Sequence, residues 1–202
     1  MTILIPQEAI DHIKKADPQL GFYIDLYGPI EVTKNPNVFE TIVSSIISQQ
    51  LSLKAAQTIE RRFLEAVKAY EPSMILSVPN EILRACGLSE RKVSYIQELS
   101  QKVQDNTLRL DDLDDLDDEQ IVERLMSVKG IGRWTAEMLA IFSLGRADIF
   151  PYDDLAIKKA VMKVHSYQTF SPHRYAQLKK RYAPYGTTAT LYYYEVKNQE
   201  HL

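Results

Sequence analysis

The sequence predicts an all-α fold, on three observations. Apolar residues recur at helical spacing along most of the chain. Alternation at period two, the mark of a half-buried strand, is sustained nowhere. Helix-start residues and breakers follow one another at short intervals, so the connections are short.

Taken in order, residues 7–16 and 37–50 carry the helical pattern, the latter through Val38, Ile42, Val43, Ile46 and Ile47. Residues 52–69 follow, with Ser52 as N-cap, because its hydroxyl can accept from an unsatisfied first-turn amide. Pro72, Pro79 and Gly87 punctuate the middle, and Pro79-Asn80 starts a short helix. Ser89 opens a longer one whose Val93, Ile96, Leu99 and Val103 share a face. Residues 118–127 and 132–144 flank a Gly-Ile-Gly turn, and helices over 154–164, 172–182 and 187–197 complete the set. Gly28 to Val32 is the one strand candidate, too short to found a sheet. Leu110, Leu113 and Leu116 recur every third residue inside an acidic run, which predicts one or two ordered helical turns there. No repeat of solenoid period is present.

A chain of 202 residues, 45% hydrophobic and 25% charged, suits a globular protein with one substantial core or two small lobes. Met1 to Ile5 is too short for a signal peptide, and no apolar run approaches the roughly 20 residues that span a bilayer. A cytoplasmic protein without membrane contact is expected. Cys86, the one cysteine, excludes an internal disulfide and a multi-cysteine metal site, and reads as a small core residue. Net charge is −3, but residues 111–119 alone hold seven acids. From Leu155 to Leu202 eight Lys or Arg face two Glu. A basic region apart from an acidic one suits phosphate binding in one orientation.

Chemistry concentrates in residues 121–154. The turn Val128-Lys129-Gly130-Ile131-Gly132 joins two helices. Glycine serves where φ is positive or another backbone comes close, and Ile131 can tuck between the helices. Amides at the start of the second helix would meet a phosphate without reading base identity. About twenty residues on, Asp153-Asp154 opens another helix. An acid there is ordinarily a cap, and a capping carboxylate is also one fixed in place.

The segment VKGIGRWTAEMLAIFSLGRADIFPYDDLAIKKAV resembles the helix-hairpin-helix DNA glycosylase superfamily, within it the DNA-3-methyladenine glycosylase II (alkyl-purine) branch. IISQQLSLKAA at 46–56 and GLSERKVSYIQELS at 87–100 share the resemblance, and RYAPYGTTATLYYY at 181–194 does so weakly. It implies a single two-lobed glycosylase unit over 1–202 with the active-site cleft between lobes. One lobe spans 36–105 and the central helices to about 150, including the hairpin at 118–145. The other is formed by 1–35 and 151–202.

The resemblance also assigns roles. Asp154 is the catalytic carboxylate, with Asp153 as its competitor. Gly130, Ile131, Gly132, Arg133 and Thr135 bind DNA. Gln50 or Leu51 is the wedge that enters the minor groove when a base leaves the stack. Trp134 stands where backbone-cutting members keep a lysine for a Schiff base, which implies a monofunctional hydrolase that leaves an abasic site. Trp134, Met138 and Tyr194 wall the substrate pocket. Met138, Gly186 and Tyr194 depart from the family pattern, so the lesion range stays open among 3-methyladenine, 7-methylguanine, ethenoadenine and hypoxanthine. No cofactor is required. A monovalent cation, Na+ or K+, is implied at the hairpin on backbone carbonyls around Met126, Val128 and Ile131. The expected partner is double-stranded DNA with damaged bases, met by a monomer. The alternative is a non-catalytic helix-hairpin-helix protein that binds damaged or structured DNA.

Overall fold

The computed structural model describes residues 2–3 and 5–199. Among them are twelve α-helices: α1 (Gln7–Ala16), α2 (Pro18–Tyr27), α3 (Val38–Ser48), α4 (Leu53–Val67), α5 (Pro72–Leu76), α6 (Asn80–Ala85), α7 (Glu90–Gln104), α8 (Asp118–Met126), α9 (Arg133–Leu139), α10 (Leu155–Val164), α11 (Pro172–Tyr182) and α12 (Gly186–Asn198). The only strands among the described residues are β1 (Thr2–Ile3) and β2 (Val32–Thr33), a two-residue antiparallel ladder. The strand candidate thus shrinks to its last residue and the next one. No helix of the described residues is long and apolar enough to cross a membrane.

The helix starts follow local chemistry. Ser52 and Ser89 accept from the Ala55 and Lys92 amides, and Asn37 accepts from Glu40. Asp117 and Gln120 form a reciprocal capping box on α8. In the acidic run a single 3-10 turn, Leu113–Asp115, buries Leu113 and leaves Asp111, Asp114 and Asp115 exposed. Cys86 is buried, as its apolar setting predicts. Two helices carried no clear signal. In α2, Asp17 caps and Pro18 occupies the first turn; in α5, Pro72 does so. Proline there removes an amide that would be unsatisfied anyway.

The chain forms two compact units. One comprises Met1–Lys34 with Ala140–Leu202, the other Asn35–Leu139. The first has α10, α11 and α12 packed with α1 and α2 around Ile13, Leu20, Phe150, Ile157, Tyr182, Tyr192 and Tyr193. The second packs α3 against α4, α7 and α9, with Ile42, Ile46, Phe63, Ile96, Ile121 and Leu125 fully buried.

The helix expected over 132–144 is not uniform. α9 stops at Leu139, and Ala140–Leu144 winds as a π-helical segment. It closes with the Arg146 amide on the Ala140 carbonyl at 2.9 Å and Gly145, at φ +72°, on Ile141.

Candidate functional site

The hairpin takes its shape from Gly130. Its φ is +89°, and a Cβ built there would lie 2.6 Å from Cδ2 of Tyr95. The conformation and the contact both demand glycine. Gly132 has neither constraint: its φ is not positive, and a Cβ would meet nothing within 4 Å. That second glycine leaves open space in front of the α9 start. Ile131 is buried, as the turn requires, and its amide donates to Val128 O at 3.1 Å.

Arg133 and Trp134 are exposed at the start of α9, Thr135 is half-buried, and Met138 lies half-buried one turn beyond Trp134. Trp134 is 48% exposed, so it is not a core residue. The Arg133 guanidinium is committed within the protein. It forks onto Glu119 of α8 and lies 3.6 Å from Glu137. Sequence reasoning had no signal for that pairing, because the partner lies across the turn.

The segment between α3 and α4 holds the wedge candidates. Gln50 is exposed and left-handed at φ +59°, while Leu51 is 38% exposed. Gln49 points elsewhere: its Nε2 donates to Gly130 O at 2.7 Å. Lys92 of α7 donates to Ile47 O at 2.7 Å and Gln49 O at 2.8 Å. Neither Gln49 nor Lys92 stands out in the sequence.

The two acids at the α10 start separate cleanly. Asp153 is exposed, with Oδ1 at 3.5 Å from Lys158 Nζ. Asp154 is 5% exposed and is the N-cap. Its Oδ1 accepts from the Ile157 amide at 2.9 Å, and its Oδ2 accepts from the Tyr194 hydroxyl at 2.7 Å. The fold therefore joins two residues forty positions apart, Asp154 and Tyr194, and holds the carboxylate by both oxygens at the positive end of a helix. Among the described residues no group of three or more His, Cys, Asp or Glu could hold a metal ion.

Comparison with known proteins is consistent across sequence and structure. The chain is 33% identical over 171 residues to DNA-3-methyladenine glycosylase 1 of Schizosaccharomyces pombe, covering 82% of this chain and 75% of the relative. The crystal structure of a DNA-3-methyladenine glycosidase from Bacillus halodurans superposes with a TM-score of 0.90 at 30% identity, covering 99% of this chain and 95% of that one. A Schizosaccharomyces pombe 3-methyladenine DNA glycosylase in complex with abasic DNA gives 0.77 at 30% identity, covering 96% and 97%. The family described as HhH-GPD superfamily base excision DNA repair protein matches residues 43–184. With that match over most of its length, the chain belongs to the HhH-GPD superfamily of base excision DNA repair proteins.

Proposed function

We propose that the protein is a monofunctional DNA glycosylase that hydrolyses the N-glycosidic bond of N3- or N7-alkylated purines and leaves an abasic site. The observation that carries this reading is Asp154: a buried carboxylate, held on both oxygens, at the family's position after the hairpin. The relatives named for 3-methyladenine support the substrate class. The proposal includes double-stranded DNA with damaged bases as the partner, met by a monomer acting in the cytoplasm.

The chemistry needs little more than one fixed carboxylate. Cleaving the bond builds positive charge on the deoxyribose, and the Asp154 carboxylate beside C1′ stabilises it without reorganising. The same group orients the attacking water and takes its proton. An alkylated purine already carries a positive charge and departs as a neutral base, so no second acid is needed. Trp134 offers an exposed π face to that electron-poor base, a contact worth about 0.5–2 kcal/mol. Met138 and Tyr194 complete the proposed wall.

On the DNA side, the Gly130–Gly132 turn, with the main chain at Arg133 and Thr135, grips the backbone without reading sequence. Gln50 or Leu51 fills the gap left by the extruded base. A Na+ or K+ ion belongs to the same proposal. Main-chain carbonyls are hard oxygen donors, and Met126 ends α8, where carbonyls lack intrahelical partners. With Val128 and Ile131 it would hold the ion, which would add positive charge beside a phosphate.

The test is base release from methylated duplex DNA. Asp154→Asn is expected to lower kcat by about 100-fold or more, while Asp153→Asn retains activity. Tight DNA binding by the wild type with no base released would instead identify a non-catalytic binder.

A further inference from the structure

Helix α3 ends at Ser48, and the chain turns at once through Gln49, Gln50 and Leu51 into α4. Such an end leaves main-chain carbonyls without intrahelical partners. Here the Ile47 and Gln49 carbonyls face one ammonium, that of Lys92, at 2.7 and 2.8 Å. Leu51 N donates back to Ser48 O at 3.2 Å. Between these clamped points stands Gln50 in a left-handed conformation. A residue other than glycine rarely takes that conformation unless its surroundings impose it.

The clamp is tied to the hairpin as well. Gln49 Nε2 donates to Gly130 O at 2.7 Å, and Gly130 lies against the Tyr95 ring. Lys92 and Tyr95 are three residues apart on α7, so they share a face. One face of one helix therefore supports both the wedge segment and the DNA-gripping turn. Lys92 is partly buried, and both of its partners are main-chain carbonyls. Burial and the neighbouring Arg91 draw its pKa below the ordinary lysine range. The charge is thus held at some cost, and carbonyl dipoles offset it.

We propose that Lys92 is a positioning residue for base displacement: by binding the Ile47 and Gln49 carbonyls it fixes Gln50 in its projecting conformation, in register with the hairpin. The proposal rests on the glycosylase reading and names a residue that touches neither base nor sugar. Its effect should therefore appear where a base must be forced from the stack and vanish where the base is already loose.

The experiment compares wild type with Lys92→Met, which keeps the stem and removes the charge, and with Lys92→Arg, which keeps the charge. Each is assayed on a lesion in a fully paired duplex and on one opposite an abasic site. Fluorescence of 2-aminopurine in a paired duplex reads base displacement without any chemistry. Lys92→Met is expected to lower kcat on the paired duplex by about tenfold, leave KM and the unpaired substrate within about twofold, and quench the 2-aminopurine response. Lys92→Arg is expected to recover most of it. Equal loss on both substrates, no loss on either, or a full 2-aminopurine response in Lys92→Met would overturn the proposal. A wild type that displaces 2-aminopurine but releases no alkylated base would refute the glycosylase reading alone, and the fluorescence arm would still judge Lys92. A wild type that does neither refutes both.

Discussion

Oδ1 of Asp154 accepts from the Ile157 amide and Oδ2 from the Tyr194 hydroxyl. The amide comes with the helix and cannot be removed by a side-chain change. The hydroxyl can. Tyr194→Phe deletes a single oxygen and removes this hold on Oδ2. A lost hydrogen bond to a charged group costs about 1.5–3 kcal/mol when buried, and Tyr194 is only half-buried, so the stability loss should fall at the low end. Misorientation of the carboxylate is expected to lower kcat for base release by about tenfold, with KM nearly unchanged. Single-turnover kinetics on methylated duplex DNA would check it, and an equal rise in KM would make Tyr194 a wall residue only. Asp154 was legible in the sequence because an acid at a helix start is a local pattern. The role of Tyr194 as a hydrogen-bond donor was not, since a tyrosine forty residues away shows only an aromatic at a pocket position. Lys92 and Gln49 were illegible for the same reason: their partners are carbonyls, which every residue has.

At the scale of elements, helical spacing and caps located most helices to within a residue or two, because both signals are written in neighbouring residues. Ser52, Ser89 and the segment 118–127 are examples. The π turn at Ala140–Leu144 could not be read, since its apolar residues fit a continuing α-helix equally well. The hairpin illustrates both sides. Two glycines marked it, yet only Gly130 meets a steric demand, through its φ of +89° and the Tyr95 ring. Gly130→Ala is therefore expected to destabilise the Asn35–Leu139 unit by about 1–3 kcal/mol, and combining it with Tyr95→Leu to recover the contact part but not the backbone part. Gly132→Ala, with open space at its Cβ, should leave thermal unfolding unchanged and, on the proposed reading, weaken DNA binding. Unfolding of the three variants, followed by circular dichroism, would separate them.

The whole molecule is organised by contacts far apart in sequence. In the Met1–Lys34 and Ala140–Leu202 unit, Asp17 Oδ2 accepts from the Tyr182 hydroxyl at 2.6 Å, and the Tyr182 and Tyr193 hydroxyls are 2.6 Å apart. The ring nitrogens of the fully buried His165 side chain lie 2.7 Å from Gln19 Oε1 and 2.9 Å from Tyr193 Oη. Arg181 reaches Asp17 at 3.4 Å from the rim. No local pattern announces such a cluster; only the closed fold assembles it. It should also make stability depend on pH. Burial draws the His165 pKa below its ordinary 6.5, with Arg181 adding to the shift and Asp17 opposing it. The folded state then takes up this proton less readily than the unfolded chain, so stability is full above about pH 6.5 and declines as pH falls below it. The slope is at most about 1.4 kcal/mol per pH unit. Denaturant unfolding at pH 7.5 and 5.5 should show the decline, and His165→Gln should remove that part of it. A pH-independent difference between wild type and variant would exclude the histidine.

The order in which the chain is made gives this division a temporal meaning. Asn35–Leu139 has all its own partners once Leu139 has been synthesised. Helices α1 and α2 are made before that unit but pack against α11 and α12, which are made after it. Asp17, and the amphipathic face carrying Ala9 and Ile13, therefore wait through the synthesis of an entire neighbouring unit before they are covered. During that interval α1 and α2, not the Asn35–Leu139 unit, are the segments exposed to aggregation and to chaperones.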